Sequence, residues 1–169
     1  MLAGRPLCSQ VPDRVHFVSR CIGPAFGYIM MIKDCEGLTA AKSVWDFTTG
    51  DARRFLDRMR LMLLAMRRFR EQGVATQFVV LLHGADTKFA ARDFAGSKFA
   101  GENAQALPEI HAALRDFTAQ GGRIEVCEIA MQRSAVALER LVDFVEVEEN
   151  VFLNSIALQN RGYAYVLVA

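Results

Sequence analysis

From Ser43 onward the hydrophobic positions switch repeatedly between a strand period and a helix period. Val44-Trp45-Asp46-Phe47-Thr48 places β-branched and aromatic residues around one polar position and runs into Thr49-Gly50-Asp51, which predicts a first core strand and a turn. Phe55, Met59, Met62, Met66 and Phe69 then recur at three- and four-residue steps, the period of a helix with one apolar face. Asp51, or Thr49 before it, is the predicted cap of that helix, and Gly73 its stop. Thr76 to Leu82 ends in an unbroken apolar run, the pattern of a central parallel strand covered on both faces, and His83-Gly84 closes it.

The stretch from Gly84 to Gln105 is rich in Gly and Ala and predicts a short helix plus a mobile loop of the kind that frames sites. Pro108 suits the first turn of a helix whose Ile110, Ala113, Leu114 and Phe117 form a stripe ending at Gly121-Gly122. Arg123 to Cys127 is the next strand. Beyond Arg133, the positions Val136, Leu138, Leu141 and Val142 predict another helix, and Phe144 to Val147 a short strand. Asn150 is placed to cap a helix carrying Phe152, Ile156 and Leu158; Gly162 stops it, and Tyr163 to Val168 forms a last apolar strand. Five strands linked by helical crossovers predict a three-layer α/β/α sandwich around a mainly parallel five-stranded sheet, because right-handed crossovers put helices on both faces.

A chain of 169 residues, 52% hydrophobic, can bury one substantial core. That core is assigned to residues 42–169. Residues 1–41 hold Pro6, Pro12 and Pro24 and three of the four cysteines without sustained periodicity, and are read as an irregular lead-in. Pro6, Pro12, Asp13, Arg14 and Pro24 break up any secretory h-region. The apolar runs Phe26 to Ile32 and Phe78 to Leu82 are far short of the ~20 residues that span a bilayer, so no membrane partner is implied. A net charge of +1 gives no electrostatic footprint for nucleic acid, and Arg53, Arg54, Arg58, Arg67, Arg68 and Arg70 are read as a solvated helix face.

The cysteines at 8, 21, 35 and 127 lack CxxC spacing. They form neither a disulfide framework nor a metal knuckle, and a zinc set of Cys8, His16, Cys21 and Cys35 matches no usual ligand spacing. Reduced thiols in a cytoplasm are the expectation. With neither GxGxxG nor GxxxxGK[ST] in the chain, no nucleotide cofactor is indicated.

Cys127 is the leading candidate for chemistry. It ends a core strand, and open parallel sheets place ligands at the carboxyl ends of their strands. As a packed residue it would be inert, since free cysteine is among the most buried residue types. A thiolate is the form that attacks or carries sulfane sulfur, and it is favoured near a helix N-terminus or a cation, here Arg133. Glu128 opposes that effect if it faces the same way. His83, at the end of the second strand, is either a general base or a histidine bonded to a loop. Lys88, Arg92 and Lys98 either attract an anionic sulfur species or solvate their loop, and the solvated reading is preferred. The methionines at 59, 62, 66 and 131 are core filling.

Four short motifs follow one another over roughly three quarters of the chain: a first strand leading to Thr49-Gly50-Asp51, then Val79-Val80-Leu81-Leu82-His83-Gly84, then Val126-Cys127 with Ala130 and Arg133 behind it, and last Gly162-Tyr163-Ala164-Tyr165. In this order and spacing the chain resembles the DsrE-like (DsrE/DsrF/DsrH, sulfur-relay) family. Ser134-Ala135 stands where a basic residue and a glycine often follow Arg133. The resemblance implies a parallel five-stranded sheet with helices on both sides, assembly as a homotrimer or homohexamer, and, as in the sulfur-relay members, a persulfide carried on the cysteine at position 127. Its partners are then sulfur donor and acceptor proteins or small sulfur species, and one cysteine without a cofactor suffices for the exchange. Two other readings stay open: an oligomeric DsrE-like binding or scaffolding module in which Cys127 is only packed, and an enzyme using His83 and Cys127 as base and nucleophile.

Overall fold

The computed structural model describes residues 35–169. Cys8, His16 and Cys21 lie outside the described residues, as does most of the predicted lead-in. In chain order the elements are β1 (Ala40–Phe47), α1 (Ala52–Glu71), β2 (Ala75–Leu82), a 3-10 helix (Gly84–Ala90), α2 (Leu107–Ala119), β3 (Arg123–Cys127), α3 (Glu128–Ser134), a 3-10 turn (Leu138–Arg140), β4 (Glu146–Glu148), α4 (Val151–Asn160) and β5 (Ala164–Val168). The five strands form one sheet in the order β4-β3-β2-β1-β5, with every neighbouring pair parallel.

The sheet's two faces follow from the two-residue period of its strands. Phe47, Phe78, Val80, Leu82, Ile124, Val126 and Val168 pack with α1 and α2, where Phe55, Met59, Met62, Ile110, Leu114 and Phe117 are fully buried. Val44, Val79, Leu81 and Cys127 point the other way, toward Ala130 of α3 and Val151 and Leu158 of α4. Each fully buried Phe or Met contributes about 1.5–3 kcal/mol relative to exposure, so the α1/α2 face carries most of the stability.

Asp51 caps α1 by accepting from the Arg54 amide at 2.8 Å, and the six arginines assigned to its outer face are all exposed. The reversal before β3 uses two glycines for different reasons. Gly121 has φ +85, a left-handed conformation that costs glycine nothing, whereas a Cβ on Gly122 would fall on the Phe117 ring.

Four local expectations are corrected. In place of the helix expected beyond Arg133, α3 carries Arg133 in its last turn: it starts directly after Cys127 and stops because Ala135 turns left-handed at φ 51, letting the Val136 amide reach back to the Met131 carbonyl at 3.0 Å. Val136, Leu141 and Val142 are buried by an irregular segment instead, pinned by an antiparallel bridge between Ala91 and Leu141, while Leu138 is exposed. The short fourth strand is displaced to Glu146–Glu148, with Phe144 and Val145 packed against the core. On α4 the buried positions are Val151, Ser155 and Leu158, and Phe152 and Ile156 are exposed. β5 is an edge strand that leaves Tyr165 and Leu167 exposed. The solvated reading of Lys88 also fails, because the 3-10 helix buries its side chain beside Phe89 and Phe99 and pairs it with Glu102.

Candidate functional site at the carboxyl ends of the strands

β2 and β3 end side by side. Leu82 pairs with Val126, and the next residue on each strand is His83 and Cys127. Alternation turns both side chains to the α3/α4 face. They line one pocket of about 490 Å³, with Lys98 and Arg133 at its cationic side and Ile129 and Phe152 as apolar wall. The edge of the Phe152 ring meets His83, with ring centroids 4.9 Å apart.

Cys127 is 4% exposed, in contact with the apolar cluster of the second face and open only to the pocket. Its Sγ is 3.9 Å from the Glu149 carbonyl, in the geometry of a weak S–H donor. Glu128 is exposed and accepts from the Gln132 side chain at 3.1 Å; it does not line the pocket. Lys98 and Arg133 are exposed and make no ion pair among the described residues.

Behind His83 lies a hydrogen-bonded chain of three side chains. His83 Nε2 is 2.6 Å from Asp46 Oδ1, and the Tyr165 hydroxyl donates to Asp46 Oδ2 at 2.5 Å. Burial works to raise the Asp46 carboxyl, but the hydrogen bonds from His83 and Tyr165 and the charge of His83 outweigh it and hold the group below its usual range. Ionised Asp46 has no proton to give, so Nε2 carries one, and in the neutral form of the ring Nδ1 is the acceptor. Burial and the same carboxylate push Tyr165 up to about 12.

A second buried carboxylate lies in the 3-10 helix after β2. Asp86, fully buried, accepts from the Thr49 and Gly50 amides at 2.7 and 2.8 Å and from the Thr49 hydroxyl at 3.1 Å, fixing the turn that follows β1. Burial raises its carboxyl above the ordinary value, although those bonds act in the opposite direction. A larger cleft of about 900 Å³ beside α1 has Lys88 paired with Glu102 and Arg60 with Glu109, while Arg53 and Arg54 in its wall make no ion pair among the described residues. Among the described residues the Cys127 pocket has no carboxylate in its wall.

The family model described as DsrE/DsrF-like matches residues 43–167. The chain belongs to the DsrE/DsrF-like family. An uncharacterized protein of Aquifex aeolicus (strain VF5) is 27% identical over 126 residues, covering 74% of this chain; the chain spans about half, 55%, of that relative. Among solved structures, MTH1491 of Methanobacterium thermoautotrophicum, titled a protein of unknown function, superposes with a TM-score of 0.56 at 18% identity, over 75% of this chain and 98% of that one. The ychN protein of E. coli gives a TM-score of 0.47 at 19% identity, over 75% and 97% of the two chains. The likeness to MTH1491 agrees in fold with the parallel five-stranded sheet described above.

In this DsrE/DsrF-like chain the three residues singled out from sequence, Cys127, His83 and Arg133, line the same pocket. Lys98, read from sequence as a solvated base, stands with them. Asp46 and Tyr165 escaped the sequence reading altogether. A carboxylate between Trp45 and Phe47 in a core strand was a signal that something must pay for its burial, but its partner sits on β5, 119 positions further on. Among the described residues no helix is long and apolar enough to cross a membrane, and no group of three His, Cys, Asp or Glu side chains is placed to hold a metal.

Proposed function

We propose that this DsrE/DsrF-like protein is a sulfur-relay component that carries sulfane sulfur as a persulfide on Cys127 and passes it to an acceptor thiol. The observation that carries this reading is the position of Cys127 on the pocket wall with His83, Lys98 and Arg133, where a merely packed thiol would have no such neighbours. In the loading step the Cys127 thiolate attacks the outer sulfur of a donor persulfide R–S–SH. The new Sγ–S bond replaces the donor S–S bond, giving Cys127–S–SH, and the donor leaves as the thiolate RS⁻ with the bonding pair. His83 takes the Cys127 proton on Nδ1, with its Nε2–H held by Asp46. Handover repeats the exchange with the acceptor as nucleophile and Cys127 as leaving group.

The protein is further proposed to work as a homotrimer or homohexamer in a reducing compartment. The apolar residues Phe152, Leu153 and Ile156 of α4 and Leu167 of β5 are all more than half exposed, which supports an uncovered interface on the α4 side. The same surface favours the second reading, an oligomeric binding module in which the thiol is inert. Loading the protein with an alkyl hydropersulfide, removing the donor and adding a reporter thiol separates the two. Transfer of one sulfur per chain, absent in Cys127→Ser, is the expected result; no transfer from a folded wild-type sample leaves the binding module.

A further inference from the structure

The geometry points to a small sulfane-sulfur oxyanion, of the thiosulfate type, as the donor that enters the Cys127 pocket, with Lys98 and Arg133 holding its sulfonate oxygens. The inference rests on the reading of Cys127 as a sulfur carrier and narrows it to a chemical class of substrate. A neutral persulfide, or a thiol on a protein surface, needs no paired cations at the mouth of the pocket.

Three features carry it. The two cations are brought together by the backbone: the Lys98 amide donates to the Ser134 carbonyl at 3.0 Å, so the segment after the 3-10 helix is pinned to the end of α3 directly beside Arg133. Neither side chain makes an ion pair among the described residues; the Lys98 ammonium lies over the Phe99 ring, 5.4 Å from its centroid, and keeps its hydrogen-bond donors. Finally, the carboxylates around the pocket are turned to other work. Asp46 is taken by His83 and Tyr165, Glu128 by Gln132, and Glu149 meets Cys127 only through its backbone carbonyl.

The remaining wall suits the other end of such an anion. Ile129, Ala130 and Phe152 give the sulfane sulfur an apolar, polarisable surface, and a volume of about 490 Å³ is within the range of small-molecule sites. The step balances without an oxidant. The Cys127 thiolate attacks the outer sulfur of S–SO₃²⁻, the Sγ–S bond forms as the S–S bond breaks, and sulfite departs with the electron pair. Cys127–S⁻ and thiosulfate thus give Cys127–S–S⁻ and SO₃²⁻, three negative charges on each side. Charge builds on the departing sulfite oxygens as the bond breaks, and fixed cations there stabilise the transition state more than the bound donor.

The test measures sulfur loading of Cys127 by mass, with sulfite release in parallel, for the full chain given either thiosulfate or an alkyl hydropersulfide, which has no sulfonate group. Wild type, Lys98→Ala, Arg133→Ala, the double variant and Lys98→Arg are compared. The expected result is one sulfite per sulfur loaded from thiosulfate, a loss in the double variant about tenfold or more greater for thiosulfate than for the hydropersulfide, and recovery in Lys98→Arg. Loading from the hydropersulfide with no sulfite from thiosulfate, or equal losses with both donors, overturns the oxyanion inference and leaves the sulfur-carrier reading standing. No loading of Cys127 from either donor overturns both.

Discussion

The Asp46 carboxylate is shared between two donors, His83 Nε2 at 2.6 Å and the Tyr165 hydroxyl at 2.5 Å, so three strands converge on one buried charge. This joins the edge strand β5 to the candidate site: Tyr165 orients Asp46, Asp46 orients His83, and His83 shares the pocket with Cys127. A carboxylate buried this way carries a desolvation cost that apolar residues in the same space would avoid. Its use is to fix which nitrogen of His83 holds a proton.

Asp46→Asn is therefore expected to act on reactivity beyond its effect on folding. An amide presents its N–H to one of the two donors and lets His83 move its proton to Nδ1, removing the acceptor from the pocket. Alkylation of Cys127 near neutral pH should slow about tenfold or more, with the pH dependence of the rate altered. The stability effect has a definite sign: the Asp46 carboxyl is depressed below its ordinary value of 3.8, so its contribution is present above that value and is lost as the pH falls through the lower folded value. An identical rate-against-pH curve for wild type and variant would contradict the role given to Asp46.

Tyr165 offers an independent check on the same network. Its hydroxyl is pushed up to about 12 from 10.0, so the folded state keeps a proton that the unfolded chain releases. Stability from this group is fully present below the unfolded value and declines as the pH rises from there through the folded one. Ultraviolet titration should show one tyrosine ionising near 12, and Tyr165→Phe should remove it and flatten the alkaline loss of stability. A Tyr165→Phe titration superimposable on wild type would show that the hydroxyl is not held by Asp46.

Ala135 is the one non-glycine residue with positive φ among the described residues, at 51°. The left-handed conformation costs an L-residue about 1–2 kcal/mol, part of which glycine regains against its larger chain entropy. Ala135→Gly is expected to raise the unfolding free energy by about 0.5–1 kcal/mol in denaturant melts. A destabilised variant would show that the alanine methyl makes contacts worth more than the strain.

Much of this was legible in the chain because β1, α1, β2, α2 and β3 each hold one period for long enough to be unambiguous. The Phe55-Met59-Met62-Met66 stripe is buried as its spacing requires, and Phe78 to Leu82 form the central strand their apolar run describes. The second half was harder for physical reasons. α4 carries two adjacent apolar stripes, Val151-Ser155-Leu158 and Phe152-Ile156, and helical periodicity does not say which one the sheet takes. α3 is only seven residues, ended by a left-handed alanine that gives no glycine signal. Cys127 and His83 were read from strand ends and Arg133 as a cation shortly after Cys127, with the family motifs beside them, whereas Asp46 and Tyr165 meet only because β5 returns to pair with β1, a consequence of topology. Lys98 reaches the pocket through a backbone bond to Ser134 that no local pattern announces.

The exposed α4 and β5 side chains bear on assembly. Leu153, Ile156 and Leu167 are 60%, 58% and 58% exposed, an arrangement that isolated monomers rarely keep in one region. Light scattering at micromolar concentration should find a homotrimer or homohexamer, and a double change of Ile156 and Leu167 to Glu should shift it to monomer while the far-ultraviolet dichroism is retained. Wild-type monomer under these conditions would contradict the proposed assembly.

The central claim, that Cys127 is the sulfur-bearing thiol, is tested most directly by peptide-level mass spectrometry of the full chain after a limiting amount of hydropersulfide donor. Cys8, Cys21, Cys35 and Cys127 are all present in the sequence, so each serves as an internal control for the others. The account predicts one added sulfur, found on the Cys127 peptide and lost in Cys127→Ser. A mark spread evenly over the four cysteines, or absent from Cys127 while present elsewhere, would contradict it.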